Sequence, residues 1–340
     1  MRLLGEVTED TAPPPRLPRF APPSRSRFGR GCVHYGIMIP DLPPPHHFMA
    51  NMTVIGYSGW RAWDDDSALQ GTARGTAIVG HGTAATTHDP FSSHGASECD
   101  FAPDGSMLCF GDDYTISGRY PNFRLVSTRR GFGVDLALTA TGEVSWFANS
   151  RFYQHLSLLT RYQGNIMHNG ADSAVAGLCT FEYGTGLAPY MIASRPLPPR
   201  LKLPNDFFTY HVINLDTDTQ LLLVVVGTFG RQPGVVGAWL RTVGGGAKRL
   251  GTTVRFEVLD YRPEPVVGHD GQPMAVPSSF TWTIRDGHTV LARLMGTVDT
   301  QWLHAGMGNI AGYKLFGEFD GRVLTGRGYL EYSDRRHGRP

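Results

Sequence analysis

The sequence has few charged residues and no excess of either sign. Charged residues make up 18% of its 340 residues, and 31 Lys and Arg balance 30 Asp and Glu to leave a net charge of +1 at pH 7. Proteins that bind nucleic acid or anionic lipid usually carry a basic surplus that meets the phosphate groups. The composition therefore argues against both partners and predicts a neutral or apolar ligand.

Cysteine and long apolar runs are also scarce. The strongest apolar run, Leu221–Val226, has the length of a buried strand and is far shorter than the ~18 residues of a membrane span. The first residues soon reach Glu6 and Glu9, without the apolar segment of a signal peptide. Four cysteines occur without CxxC spacing: Cys32, Cys99, Cys109 and Cys179. We expect a cytoplasmic protein with free thiols and no membrane span.

The common cofactor and nucleophile motifs are missing as well. No GxGxxG follows a predicted strand to open a helix, and we find no P-loop, no GxSxG elbow and no HExxH pair. Several histidines lie in turn-rich segments near Asp89, but without a fixed spacing for metal ligands: His46, His47, His81, His88 and His94. The sequence predicts no cofactor and no metal.

Glycine, proline and aromatic residues are abundant instead. The chain has 42 Gly, 24 Pro and 11% aromatic residues, a composition that favours strands and turns over long helices. In segments such as Cys32–Ile39, large apolar or aromatic residues recur at every second position, as they do in a strand with one face in a core. Hairpin turns are predicted at Pro103–Gly105, Asp270–Gly271 and Asp286–Gly287. We predict an all-β antiparallel fold with short helices only at Pro204–Phe207 and Phe152–Leu159, and a turn at Ala140–Gly142.

One strand pattern occurs twice. Gly177–Gly184 and Gly326–Ser333 each read Gly, three residues, a large apolar residue, then Glu-Tyr. The copies lie about one domain length apart, which predicts two similar β domains in tandem.

The length of the chain also exceeds the usual size of a single core. A proline-dense run, Ser194–Pro204, follows the first Glu-Tyr strand and has the composition of a semi-rigid spacer. We therefore predict a proline-rich arm at residues 1–27, which wraps the first domain, a first barrel at 28–194, a linker at 195–204 and a second barrel at 205–340.

This layout, together with Phe28–Asp41 and Gly177–Tyr183, resembles a known superfamily. It is similar to the two-barrel, lipocalin-like (calycin-type) group that includes the carotenoid 1,2-hydratases (hydroxyneurosporene synthases), kievitone hydratase and the lipocalin-like Diels-Alderases, and most similar to an actinobacterial family of that layout. The resemblance implies two tandem lipocalin-like β-barrels and chemistry on a hydrophobic ligand without a cofactor. Thr180–Tyr183 replaces the Trp- and His-rich end of the first barrel in the carotenoid hydratases, so their substrate is not implied.

Several histidines stand beside aromatic residues on predicted strands. A histidine poised near neutrality can accept and return a proton. We predict His34 and His155 as proton carriers, with packing or surface roles as the alternative for each. The predicted ligand contacts are Tyr35, Tyr153, His211, Trp302 and His304.

Glu182 is the predicted general acid, because it lies on the closing strand of the first domain, ahead of the linker, where a crevice between the domains should open. Enclosure by apolar side chains should raise its pKa. Its counterpart Glu331 is close to Asp334–Arg336 and is interpreted as a paired structural carboxylate. Since neighbours on a strand face opposite sides, Tyr183 becomes the polar group of the site if it, and not Glu182, faces the pocket.

These observations lead to two alternative functions. The first is a cofactor-free enzyme that binds a terpenoid, steroid or polyketide and catalyses hydration, dehydration, isomerisation or cyclisation. The second is a non-enzymatic carrier of a hydrophobic ligand or lipid. The sequence does not indicate the oligomeric state.

Overall fold

A computed structural model describes residues 17–23 and 31–336, apart from 88, 130, 192, 194, 229 and 230. Predictions for the rest of the N-terminal arm and for Phe28–Arg30 lie outside the described residues. Helical structure within them consists of four short 3₁₀ turns: η1 (Asp66–Ala68), η2 (Ala96–Glu98), η3 (Pro189–Met191) and η4 (Pro199–Leu201). None of the described helices has the length and apolar character needed to cross a membrane.

The first sheet has eleven strands in the order β4-β3-β2-β1-β11-β10-β9-β8-β7-β6-β5. They are β1 (Cys32–Ile39), β2 (Met49–Ile55), β3 (Ala77–Thr83), β4 (Phe91–His94), β5 (Cys99–Phe101), β6 (Met107–Phe110), β7 (Tyr114–Arg119), β8 (Asn122–Arg129), β9 (Phe132–Asn149), β10 (Tyr153–His168) and β11 (Ala171–Gly186).

The second sheet has ten strands, with the path β15-β14-β13-β12-β23-β22-β20-β19-β16 and β21 paired to β22. A separate small ribbon consists of β17 (Val266–Val267) and β18 (Pro273–Met274). The strands of the second sheet are β12 (Asn205–Asn214), β13 (Thr219–Thr228), β14 (Arg231–Thr242), β15 (Gly246–Arg249), β16 (Thr253–Tyr261), β19 (Pro277–Asp286), β20 (Thr289–Val298), β21 (Leu303–His304), β22 (Asn309–Phe319) and β23 (Arg322–Asp334).

The two sheets repeat one topology. In each, the first strand pairs with the last, β1 with β11 and β12 with β23, and the ladders are antiparallel. The first sheet forms a nearly closed barrel and the second a half-barrel. The predicted all-β fold of two tandem antiparallel barrels is confirmed, whereas the predicted domain boundaries stay predictions.

Three local predictions were wrong. The two predicted short helices are strands, since Phe152–Leu159 enters β10 and Pro204–Phe207 enters β12. The turn at Ala140–Gly142 lies within β9, where the pairing register with β10 shifts. Each of these segments joins a ladder whose long-range pairing outweighs the local turn and helix signals.

The apolar run of β13 explains how the barrels meet. Leu221, Leu223 and Val225 face the interior of the second barrel, while the residues between them face outward. That outward face is also buried, because it packs on the outer face of the first barrel. A strand covered on both sides needs apolar residues at successive positions. Outward-facing residues of β1 and β2 in the first barrel and of β12 and β13 in the second therefore contribute to a third core between the barrels.

The interior of the first barrel is filled by side chains. Phe20, from the N-terminal segment 17–23, packs there against Phe123 and Phe181. The Tyr35 hydroxyl donates to the Phe20 carbonyl at 2.9 Å, and the Tyr183 hydroxyl donates to the Ala21 carbonyl at 2.9 Å. The described part of the arm thus inserts into the first core, and the barrel interior is closed to a ligand at this level.

Candidate functional site

A pocket opens between the two barrels. Its floor carries Glu182, His34 and His155 from the first barrel and Glu331 from the second. Its walls are mostly apolar and aromatic, with contributions from Trp60, Trp63, Phe147, Phe208, Val224 and Val226. The pocket therefore combines a small polar cluster with an apolar surround, as binding sites for small molecules usually do.

Strand register brings the polar cluster together. Gly184 of β11 pairs with His34 of β1 on one side and with His155 of β10 on the other. Glu182 lies two residues earlier on the same face of β11. The two imidazoles therefore flank a glycine and lean towards the carboxylate, with His155 Nε2 at 3.4 Å and His34 Nε2 at 3.9 Å from Glu182 Oε2.

The absence of a side chain opposite Glu182 on β1 leaves room for His34. Gly36 pairs with Glu182, and a Cβ at this position would lie 3.0 Å from His34 Nε2 and 2.7 Å from the Met38 methyl group. Both distances are shorter than an ordinary carbon contact.

We expect Gly36→Ala to displace the His34 ring and to lower the stability by about 1–3 kcal/mol, the usual cost of overpacking. A crystal structure of the variant and urea unfolding measure the two effects. Gly326→Ala is the matched control, because nothing lies within 4 Å of a Cβ added there. An unmoved imidazole in Gly36→Ala would contradict the prediction.

The hydrogen bond of His34 shows which of its ring nitrogens carries a hydrogen. Nδ1 lies 3.1 Å from the Thr53 carbonyl oxygen, which can only accept, so Nδ1 carries a hydrogen. Nε2, which faces Glu182, is therefore the nitrogen that can gain or lose a proton. Such a carbonyl contact fixes the tautomer of a catalytic imidazole.

His155 connects Glu182 to a tyrosine. Its Nδ1 lies 3.0 Å from the Tyr153 hydroxyl, and its Nε2 has only the 3.4 Å contact with the carboxylate. Burial lowers the pKa of His155, and the opposing effect of Glu182 does not restore it. His155 is therefore neutral near pH 7 and links Glu182 with Tyr153 at the pocket wall.

Glu182 is ionised, which corrects the predicted rise of its pKa. Burial on its own would raise the pKa, but His155 and His34 outweigh it and lower the pKa to about 2. The Tyr210 hydroxyl from the second barrel also donates to Oε1 at 2.5 Å. A prediction from apolar enclosure alone does not include the effect of these three neighbours, which lie on three other strands.

Glu331 is the opposite case. Burial and the neighbouring charge of Glu182 raise the pKa of Glu331 well above its ordinary value, and the hydrogen bond from Tyr329, 3.1 Å long, does not offset them. The predicted pairing with the C-terminal arginines is wrong, because Arg336 pairs with Asp334 and Arg335 with Asp270. Glu331 faces the pocket, where its surroundings favour the protonated form.

The other predicted site residues lie apart from this cluster, except Tyr153. Tyr35 and Tyr183 are in the first core, where they bond to the arm. His211 is buried in the second barrel between Phe280 and Trp282, with its Nε2 3.0 Å from the Thr209 hydroxyl. Trp302 belongs to the second core, and His304 lies beside Asp65 and His269.

Sequence reasoning missed several residues of the pocket. Trp60 and Trp63 stack at a centroid distance of 5.1 Å, and Trp63 meets Phe208 of the second barrel edge-on at 5.5 Å. Two tryptophans in a short polar loop are a signal that could have been used. Tyr210 stands beside His211 on a predicted strand, but its contact with Glu182 depends on how the barrels dock and has no signal in the sequence.

Two groups of side chains have the composition of a metal site. His34, His155 and Glu182 place one ligand atom each within 4.8 Å of the others, and so do Asp65, His269 and His304. Imidazole and carboxylate ligands in sets of three suit zinc and related cations.

Solved structures share the fold. The AttH-like protein of Nitrosomonas europaea aligns with a TM-score of 0.61 and 15% identity over 91% of this chain and 93% of that one. Kievitone hydratase from Nectria haematococca aligns with a TM-score of 0.59 and 11% identity over 98% and 97%. CghA aligns with a TM-score of 0.47 and 10% identity over 91% of this chain and 90% of that one. At the level of fold, the predicted resemblance to the two-barrel superfamily is confirmed.

Sequence comparisons place the chain in one family. No curated protein matches it significantly. A family model matches residues 52–339, which include both Glu-Tyr strands and most of the pocket. The actinobacterial origin stays a prediction. The chain belongs to the family described as "Family of unknown function (DUF6670)".

Proposed function

We propose that this protein binds a neutral hydrophobic small molecule, of terpenoid, steroid or polyketide type, between its barrels and catalyses a proton-transfer reaction on it without a cofactor. Hydration or dehydration, isomerisation and cyclisation are the reactions of this class. The shared fold with kievitone hydratase supports a hydratase-type activity.

One observation carries the proposal. Two buried glutamates from the repeated strands face one apolar-walled pocket, one with a pKa of about 2 and the other with a pKa well above the ordinary value. Carboxyl groups whose environments separate their pKa values in this way supply a base and an acid at the same pH.

The roles follow from the protonation states. The ionised Glu182 stabilises positive charge on the imidazoles, so His34 Nε2 is the atom that takes a proton from carbon. The neutral Glu331 gives its proton to a leaving hydroxyl group. In a dehydration, the C–H electrons form the double bond, the C–O bond breaks and water leaves; addition of water is the reverse. When the proton returns from the imidazole to Glu331 through water, the site is restored.

The apolar walls are also compatible with a carrier, and one experiment separates the two functions. The purified protein is first examined by native mass spectrometry for lipid that co-purifies, and is then incubated with a panel of cell-extracted lipids. We expect a compound that changes by the mass of one water, or an isomer with a new retention time.

Glu182→Gln should abolish this conversion while the compound still binds. Bound but unaltered ligand throughout, with binding indifferent to Glu182→Gln, would identify a carrier. Failure to bind any of the lipids would argue for an interaction module and against both functions.

A further inference from the structure

The second group of metal-type ligands lies outside the proposed catalytic cluster, where loops of the two barrels meet. Asp65 comes from the connection between β2 and β3 of the first barrel. His269 lies between β17 and β18, and His304 in β21, both in the second half of the chain. Their ligand atoms lie within 4.8 Å of one another.

Asp65 directs one free oxygen into this group. Its Oδ1 caps η1 by accepting from the Ser67 backbone N–H at 2.9 Å and from the Ser67 hydroxyl at 2.5 Å. Its Oδ2 is buried and has no hydrogen-bond partner. The nearest ring nitrogen, His304 Nε2, is 3.8 Å away, too far for a hydrogen bond.

His304 presents a lone pair to that oxygen. Its Nδ1 lies 3.3 Å from Asn309 Oδ1, an acceptor, so the hydrogen of the neutral ring is on Nδ1. Its Nε2 is buried without a partner, on a side chain that is only 10% exposed. A lone pair and a carboxylate oxygen that face each other inside a protein, each without a hydrogen-bond partner, are both unpaired, and a bound cation would pair both.

His269 completes the group. As in His304, one ring nitrogen is hydrogen-bonded to an oxygen, but here that nitrogen is Nε2 and not Nδ1. Its Nε2 lies 2.8 Å from Asp89 Oδ2, so this nitrogen carries the hydrogen and Nδ1 keeps the lone pair. Asp89 is held in turn by the Phe91 backbone N–H, which donates to Oδ1 at 3.0 Å. A carboxylate or amide oxygen behind each ligating imidazole is the usual support of a metal site.

We infer that Asp65, His269 and His304 bind a divalent cation of the zinc type, which joins the two barrels. Two imidazoles and one carboxylate favour zinc over magnesium or calcium, because the latter prefer oxygen ligands throughout. The charges of Asp65 and Asp89 match a dication. Binding here is independent of the proposed reaction, whose acid and base are in the pocket.

The test is metal binding by the full-length protein. After treatment with a chelator, we titrate Zn²⁺, measure the bound metal by mass spectrometry, and record the absorption spectrum with Co²⁺ as a probe of the ligands. We expect one Zn²⁺ per chain, a higher Tm with the metal than without it, and little competition from excess Mg²⁺.

Variants locate the site. His304→Gln and His269→Ala should each weaken Zn²⁺ binding by about 100-fold or more, and Asp89→Asn by ~10–100-fold through the lost support of His269. His269 is partly exposed, so its replacement leaves the fold intact. His288→Ala, at an exposed turn, is the matched control and should bind as the wild type does.

Glu182→Gln should also keep the metal, because that residue belongs to the other group. Loss of Zn²⁺ in Glu182→Gln with full binding in His304→Gln would assign the metal to the pocket and overturn the inference. A wild-type protein that binds no Zn²⁺ at micromolar concentrations would overturn it as well, without touching the proposed proton transfer.

Discussion

Glu182→Gln is expected to lower turnover by about 100-fold or more, with little change in ligand binding. The amide removes the negative charge that would stabilise a proton taken up during turnover by an imidazole, at 3.4 Å for His155 or 3.9 Å for His34, but keeps the shape of the side chain. Turnover is measured on the compound that the lipid panel shows to be converted. Tyr183→Phe is the control, since its hydroxyl lies in the first core and bonds to the arm.

Glu331→Gln should lower turnover to a similar extent, because glutamine has no acidic proton to donate. Relative to the wild type, the stability of the Glu331→Gln variant at neutral and higher pH should change in the opposite sense to that of the Glu182→Gln variant. The raised pKa of Glu331 means that the unfolded chain releases this proton at a lower pH than the folded chain, so Glu331 destabilises the fold increasingly as the pH rises above the ordinary carboxyl value. Glu331→Gln should therefore be more stable than the wild type near pH 8 and similar to it near pH 4.

The contribution of Glu182 to stability depends on pH in the opposite way to that of Glu331. Because its pKa is lowered to about 2, it stabilises the fold above the ordinary carboxyl pKa and loses this effect as the pH falls towards 2. Glu182→Gln should thus be less stable at neutral pH, with a difference that shrinks in acid. Urea unfolding at several pH values measures how the free energy of unfolding of each variant depends on pH. If both variants kept wild-type turnover, the two glutamates would have no part in the reaction.

Arg241→Ala is expected to destabilise the protein by about 3–5 kcal/mol. Arg241 is fully buried on β14 and reaches across to the first barrel, where Nη1 donates to the Ser157 carbonyl at 2.9 Å and to its hydroxyl at 3.0 Å. Nη2 donates to Gln220 Oε1. Removal of the guanidinium leaves these acceptors buried without donors and opens a cavity.

Burial lowers the pKa of Arg241 to about 10, so the side chain remains charged at neutral pH. Arg241→Lys should also be destabilised, because a single ammonium nitrogen cannot replace the two guanidinium nitrogens that donate to Ser157 and Gln220. Arg255→Ala serves as the control, since Arg255 is 69% exposed and pairs with Glu257 at the surface. We expect that change to cost less than about 1 kcal/mol in urea unfolding. If Arg241→Ala lowered the free energy of unfolding by less than about 1 kcal/mol, the hydrogen bonds of Arg241 to Ser157 and Gln220 would contribute little to stability.

The sequence predicts much of the fold because the signals are local. Period-2 alternation locates strands such as β1 and β13, and the two Glu-Tyr copies identify equivalent closing strands. The same repeat singled out Glu182, and the structure places His34 and His155 beside it. Their catalytic role stays a prediction.

The contacts between the barrels could not be predicted in this way. Glu331 is interpreted from the sequence as a paired structural carboxylate because two arginines follow it, yet on β23 it faces the pocket between the barrels. Tyr35 and His211 alternate as pocket residues would, but Tyr35 is packed in the first core and His211 among the aromatic rings of the second barrel. Periodicity tells which residues are buried together, but not which of two buried faces encloses a ligand.

The position opposite each repeated glutamate breaks the symmetry between the halves. In the first barrel Gly36 pairs with Glu182, and in the second Tyr210 pairs with Glu331. A homodimer of either half would place two identical carboxylates in identical surroundings, and neither could be assigned as donor or acceptor. Fusion into one chain lets a tyrosine from one side serve the glutamate of the other without a reciprocal contact. In the proposed function, this asymmetry would give the proton transfer a direction across the pocket and the ligand one orientation in it.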